Sequence, residues 1–303
     1  MITIEYTTYS INLSILFFTN PDLIMKNILS IDLESWIHFF EGISPLGKNW
    51  FGVERKEADN NFIPSSTIII LDLLEKSENK ATFFILGELY DWYPEVINEI
   101  RSRGHEVAYH GHDHQLISTS NDLQAQLTLS RTFLNTFRPI GFRAPRLYLQ
   151  SACMATLKEH GFTYSSSSYG PFQSKRLISN IQELPISTSP WFGHSVDQLH
   201  LPRPLSPGLL LKENPFGSGL SANLLGKHTS YFINRQNKKG IPTVLMLHPW
   251  QLVPPKQIVG FQARKKMIFN HPLFFPYTLN RGGALQCLLH SHRFISFEKY
   301  LIG

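Results

Sequence analysis

Cysteine is scarce in this sequence: two residues in 303, Cys153 and Cys287, far apart along the chain. That scarcity excludes a disulfide-stapled scaffold and a cysteine-based zinc site. Long apolar runs are missing as well, and no stretch approaches the roughly 18–20 apolar residues that span a bilayer as a helix. The most apolar early run, Ile11 to Phe18, is short and has no basic residue ahead of it, so it makes a poor secretory signal. Charge is sparse too, at 17% of residues, with 28 Lys and Arg against 23 Asp and Glu and a formal charge of +5. The basic residues are scattered, and their densest group, Arg264-Lys265-Lys266, reads as a solvated face rather than a nucleic-acid patch. There is no internal repeat and no low-complexity tract.

What is present is a chain with 42% hydrophobic residues, enough to bury a sizeable core. Met25-Lys26 immediately precedes what reads as the first core strand, Asn27 to Asp32. Met25 is therefore a candidate natural start, with residues 1–24 as an extension that is disordered or not native. From there strand-like and helix-like runs alternate. A helix capped at Ser65 carries Ile68, Leu71 and Leu74 on its apolar face. Ala81 to Leu86 is a buried strand. Pro94 opens a helix that Gly104 stops, and His105 to His110 is strand-like. Leu123 to Phe137 reads as one helix, Pro139 to Ala144 as extended, and Ser151 to His160 as a helix closed by Gly161, before a Phe162-Thr163-Tyr164 strand. The stretch 173–226 is rich in Pro, Gly and Ser and reads as long loops with short strands, a lid or substrate-binding insertion. A strand at Thr243 to Leu247, a helix at Ala284 to His290 and a strand at Phe294 to Phe297 complete the chain. Repeated β-then-α order predicts parallel strands with helical crossovers, in one α/β unit over residues 25–303. We expect a cytoplasmic protein, peripheral to a membrane at most.

Three segments place polar groups at the carboxyl ends of predicted strands, where α/β folds hold their sites. In Asp32-Leu33-Glu34 the two carboxylates are two apart and face one side of an extended chain; one can bind a metal while the other acts as a base. Alone, this pair is no more than two acids at a strand end. In His110-Gly111-His112-Asp113-His114, three of the thirteen histidines fall within five residues. His110 and His114 are i, i+4, a spacing that sets two imidazoles on one side of a helical turn, and neutral imidazole is the commonest metal ligand. His112 is a candidate third ligand, a group that supports the ligands, or a residue that only lines the cleft. Two imidazoles and a carboxylate leave open positions for water and substrate on zinc or a similar divalent ion. The third segment ends a buried run with His248-Pro249-Trp250, where the histidine can donate a proton.

The order of these segments, with Ala81-Thr82-Phe83-Phe84, Gly104-His105-Glu106-Val107 and Gly141-Phe142-Arg143-Ala144-Pro145 between them, resembles the polysaccharide deacetylase family, carbohydrate esterase family 4. The His-Pro-Trp ending looks like the branch associated with exopolysaccharide biosynthesis. The resemblance covers roughly Met25 to Trp250. It implies a deformed (β/α) barrel of about seven parallel strands that removes acetyl groups from an N-acetylated glycan. It implies Asp32 as catalytic base, Arg143 as the arginine that orients it, and His248 as catalytic acid. Glu34, His110 and His114 would be the ligands of a divalent metal, most readily Zn2+. Pro145, Arg146 and Trp250 would meet substrate, with an oxyanion-binding backbone N–H near Arg146. Trp92 and Trp191 are further candidates for stacking on sugar rings. One departure stands out: Ser165 occupies a place where many relatives carry an Asp, so a compensating acid such as Asp113 or Asp197 would have to come from elsewhere. Two other readings fit less well: a metal-free amidohydrolase of the same fold acting on a small amide, and a metal-bearing carbohydrate-binding protein without turnover.

Overall fold

Seven short apolar runs fold as parallel strands: β1 (Asn27–Leu33), β2 (Thr82–Ile85), β3 (Glu106–Tyr109), β4 (Gly141–Phe142), β5 (Tyr164–Ser165), β6 (Ile181–Glu183) and β7 (Val244–Leu247). The computed structural model describes residues 25–43, 53–192 and 199–303; residues 1–24 and Asp197 lie outside them. The strands pair in the order β7-β1-β2-β3-β4-β5-β6, every pair parallel. Each position of β1, β2, β3 and β7 is buried, as strands covered on both faces must be, which is why they read as unbroken apolar runs. Arg176–Ile178 adds an antiparallel edge to β6, and Phe294–Ile295 pairs with the first two residues of β1.

The sheet curls into the expected deformed (β/α) barrel, but no ladder joins β6 to β7 among the described residues. Ser187, at the end of a short strand paired with Tyr169–Gly170, and Gly217 bridge that gap. Gly217 N–H donates to the Ser187 carbonyl at 2.9 Å and Met246 N–H donates to the Gly217 carbonyl at 2.8 Å. Val244 N–H donates to Ser187 Oγ at 2.9 Å. Gly217 must be glycine here, because a Cβ would stand 2.3 Å from the Val244 carbonyl oxygen.

Helices lie outside the sheet and share its principal core, with Ile70, Leu71, Ile97 and Leu157 packed against Leu29, Phe83 and Val107. Several boundaries differ from the sequence reading. The helix placed at Ser65 starts at Phe62, and Ile68 is exposed while Ile63, Ile70, Leu71 and Leu74 face inward. Left-handed Asn60 and Asn61 make the turn into it, and Asp59 accepts the Ile63 N–H at 3.2 Å, a start that Pro64 tolerates in the first turn. The helix expected over 123–137 is two, Ser120–Leu129 and Arg131–Phe137. They break at Ser130 beside buried Tyr109, whose hydroxyl donates to the Gln126 carbonyl at 2.8 Å. Stretch 173–226 contains two helices besides its short strands, Pro207–Lys212 and Gly219–Leu225, capped by the Ser206 and Ser218 hydroxyls. The last strand stops at Ile295 because Ser296 caps a helix, accepting the Lys299 N–H at 3.1 Å. No helix among the described residues is long and apolar enough to cross a membrane.

Candidate active site

Parallel strands bring their carboxyl ends to one mouth of the barrel. There β1 delivers Asp32 and Glu34, β3 delivers His110, β4 delivers Arg143 and β7 delivers His248. Asp32, Glu34 and His248 line a cavity of ≈ 360 Å³ together with His114, Arg146 and Tyr148, while His110 and Arg143 stand behind its wall.

His110 and His114 meet at this mouth, though not on a helical turn. The segment after β3 is irregular, and Gly111 and His114 take left-handed φ of 85° and 62°. Those two reversals, not a helical repeat, fold the His114 ring back toward His110, leaving the ring centroids 5.7 Å apart. Glu34 Oε1 stands 3.0 Å from His110 Nε2, 3.2 Å from His114 Nε2 and 3.9 Å from His248 Nε2.

Arg143 ties the base candidate to the ligand candidate. Its guanidinium pairs with Asp32 Oδ1, donates to Ser30 Oγ at 2.9 Å and to the Ser166 carbonyl at 2.8 Å, and lies 4.1 Å over the Phe84 ring. Its own carbonyl accepts from His110 Nδ1 at 2.8 Å. Since a carbonyl only accepts, His110 carries a proton on Nδ1, which leaves Nε2, 3.0 Å from Glu34, as the atom that either shares a proton with that carboxylate or gives a lone pair to an ion.

That arrangement asks for a cation. A carboxylate oxygen and an imidazole nitrogen stay 3.0 Å apart when a proton or a metal ion lies between them, and the second imidazole on the same oxygen favours an ion that can meet all three. A tetrahedral ion at about 2.0–2.1 Å from its ligands holds them roughly 3.3 Å apart, close to the 3.0 and 3.2 Å found. Glu34, His110 and His114 thus fit a divalent ion, and so does a second overlapping group, Asp32, Glu34 and His248. Burial opposes charge on Glu34, yet the His114, His110 and His248 rings hold its carboxyl well below the usual carboxylate range. Burial holds His114 below the ordinary imidazole range, and neutral imidazole is the form that binds metal.

The remaining sequence candidates fall at different depths. Arg146 and Leu147 adopt consecutive left-handed conformations, φ 56° and 53°, on the cavity wall. Strained backbone of this kind collects at functional sites. Pro145 is buried behind that wall, against Gly111. Trp250 is 2% exposed and stacks flat under His248 at 4.3 Å, so it positions that ring more than it offers a sugar platform. Trp92 stacks on His38, and Trp191 is exposed on the 173–226 stretch with its indole N–H on the Leu210 carbonyl.

Three features had no clear signal in the sequence. Ser165 lies opposite Glu183 in the β5–β6 register. Glu183 accepts from the Ser167 N–H at 2.8 Å and Ser168 Oγ at 2.6 Å, and burial pushes its carboxyl up. The acid nearest the serine run is therefore Glu183; Asp113 instead accepts from the Gln126 amide at 2.8 Å. Second, His38 receives the Ser35 N–H on Nδ1 and donates from Nε2 to Glu88 at 2.7 Å, which Arg55 also contacts at 2.9 Å. This buried chain backs His114, with ring centroids 6.0 Å apart. Third, the Gln251 side chain meets His248.

Comparison with known proteins bears directly on this geometry. Residues 59–165 match the family model for polysaccharide deacetylase. Over 103 residues the chain is 31% identical to a peptidoglycan-N-acetylglucosamine deacetylase of Bacillus cereus, covering 33% of this chain and 48% of that protein. It is 33% identical over 107 residues to the peptidoglycan deacetylase-like protein FGM2 of Gibberella zeae, covering 33% of this chain and 31% of that one. The chain thus spans about half the length, or less, of these relatives. A solved structure from Mycobacterium smegmatis, provisionally named a polysaccharide deacetylase, shares the fold at a TM-score of 0.50 and 17% identity over 88% of this chain and 92% of that one. The matched segment contains His110, His114 and Arg143, whereas Asp32, Glu34 and His248 reach the same mouth from outside it.

Proposed function

From the match of residues 59–165 to the polysaccharide deacetylase family model, we propose that the chain is a metal-dependent deacetylase of an N-acetylated hexosamine in a glycan. The reaction breaks the acetamide C–N bond, forms a C–O bond to water and yields acetate and a free amine. One observation carries the reading: Glu34 Oε1, on the cavity wall, stands 3.0 Å from His110 Nε2 and 3.2 Å from His114 Nε2. Glu34, His110 and His114 would hold the ion, and zinc suits such a mixed nitrogen-and-oxygen set. When bound, it supplies Lewis acidity that makes water a better nucleophile and polarises the acetyl carbonyl.

The chain's own residues perform the remaining work. Asp32, aimed by Arg143, accepts the proton of the attacking water. The Arg146 N–H serves the developing oxyanion. His248 enters the step as imidazolium, having taken up a second proton from solvent at Nε2, and passes that proton to the sugar nitrogen as the C–N bond breaks, without which an amine anion would have to leave. The His248-Pro249-Trp250 ending favours an exopolysaccharide, or its precursor, as the glycan. The test is acetate release over a panel of N-acetylglucosamine oligomers and polymers, with chelator and then added zinc. Chelation is expected to abolish release and zinc to restore it, and His114→Ala is expected to lose bound metal and turnover together. Acetate release by metal-free His114→Ala at the parent rate would overturn the reading.

A further inference from the structure

We infer that Gln251 is a positioning residue whose side-chain amide holds His248 in the tautomer protonated on Nδ1, with Nε2 bare toward the cavity. The catalytic consequence rests on the deacetylase reading above; the tautomer itself rests on hydrogen bonding alone.

The assignment starts from two backbone carbonyls, which can only accept. Asn223 Nδ2 donates to the Pro276 and Leu279 carbonyls at 3.0 and 3.1 Å, so Asn223 Oδ1 is left as an acceptor. Gln251 Nε2 lies 2.8 Å from that oxygen and 2.7 Å from the Gly219 carbonyl, which fixes it as the amide nitrogen and turns Oε1 the other way. Oε1 then receives the His248 backbone N–H at 2.9 Å and faces His248 Nδ1 at 2.9 Å. An amide oxygen has no proton to give, so Nδ1 must carry one. The Gln251 backbone N–H goes to the His248 carbonyl at 3.0 Å and also turns to the His248 side chain as in a capping box; the amide oxygen 2.9 Å from Nδ1 is what requires the proton there. Gln251 and Asn223 are each 1% exposed, so water does not readily substitute for a lost partner.

Two further features tighten the lock. A Cβ on Gly219 would sit 2.3 Å from Gln251 Oε1, so glycine there is what admits the amide. Trp250 stacks on the His248 ring at 14° and fixes its plane. The pocket also selects an amide over a carboxylate, since a carboxylate in place of Gln251 would face the Gly219 carbonyl and Asn223 Oδ1, both acceptors. His248 is therefore oriented by a neutral partner, unlike the histidine of a serine-hydrolase triad. Its exchangeable proton position is Nε2, 3.9 Å from Glu34 Oε1.

The test is the imidazole 15N spectrum of the full metal-loaded chain with labelled histidine, the His248 signal being identified by its loss in His248→Asn. Wild type is expected to show a protonated Nδ1 and a bare Nε2. Gln251→Met, which keeps length without an acceptor, is expected to shift the ring toward the Nε2-protonated tautomer. Its kcat is expected to fall on the order of 10²-fold, with KM changed by less than about twofold. Gly219→Ala is expected to move the spectrum the same way by less. A wild-type ring protonated on Nε2, or an unchanged His248 signal in Gln251→Met, overturns the inference. Should Gln251→Met fail to fold, the wild-type spectrum and Gly219→Ala still decide it. Absence of acetate release by wild type would overturn the function while leaving the tautomer result standing.

Discussion

Arg143 is the largest fully buried side chain among the described residues, and a buried guanidinium persists only where its charge and its N–H groups are matched. Asp32 supplies the charge, Ser30 and Ser166 take the other donors, and Phe84 covers the face. Removing the guanidinium strands a buried carboxylate. Arg143→Met is therefore expected to cost about 3–5 kcal/mol in denaturant unfolding, beyond any loss of turnover. His105 gives a pH-dependent counterpart. Burial, with Lys80 and Arg103 nearby, pushes it from 6.5 down to about 4. Between those values the unfolded chain takes up a proton that the folded one refuses, so stability falls as pH drops through this window and levels off below it. The loss is about 3 kcal/mol, and urea midpoints at pH 7 and 4.5 are expected to show a smaller gap in His105→Gln. At this scale the sequence was informative wherever a residue sat in a dense motif: Arg143 within Gly-Phe-Arg-Ala-Pro, His110 and His114 within their cluster. Glu183 and Gln251 were not legible. Each is an ordinary polar residue until the fold sets it against the Ser165–Ser168 run or against Gly219 and Asn223.

At the scale of elements, the segment from His110 to His114 shows what spacing does and does not encode. Four residues apart is the right interval for two rings to meet, but the interval says nothing about the path between them. Two left-handed residues made that path, one a glycine that also admits Pro145, whose Cγ would lie 3.2 Å from an added Cβ. Gly111→Ala combines a disfavoured φ, worth about 1–2 kcal/mol, with that contact. It is expected to weaken zinc binding by roughly tenfold or more in a competition titration, with the far-ultraviolet spectrum unchanged. Helix starts were misread for a related reason. Ser65 looks like a cap, yet the turn at Asn60 and Asn61 and the Asp59 side chain begin the helix earlier. The periodic apolar pattern located the helix without fixing its first turn.

For the molecule as a whole, alternating apolar runs sufficed to read parallel strands and crossover helices, because those strands are buried on both faces and interrupted by Gly and Pro. How the barrel closes was not readable. Ser187 and Gly217 sit in a stretch with no regular period, and their role appears only when β7 is laid beside them. Gly217→Ala drives a Cβ into the Val244 carbonyl and is expected to cost about 3 kcal/mol or more, read as a lowered Tm. That join also divides the amides of one strand into two populations. Successive N–H groups along β7 point to opposite sides. Those of Val244 and Met246 meet Ser187 and Gly217, while Leu245 and Leu247 face the full ladder with β1. In hydrogen exchange the even-numbered amides are expected to lose protection before the odd-numbered ones. A slit parting there would leave β7 and His248 on β1 beside the candidate metal ligands, and would loosen instead the Gly217–Gly219 segment on which the Gln251 amide rests. Gentle warming would then yield a protein that still holds its ion but turns over poorly.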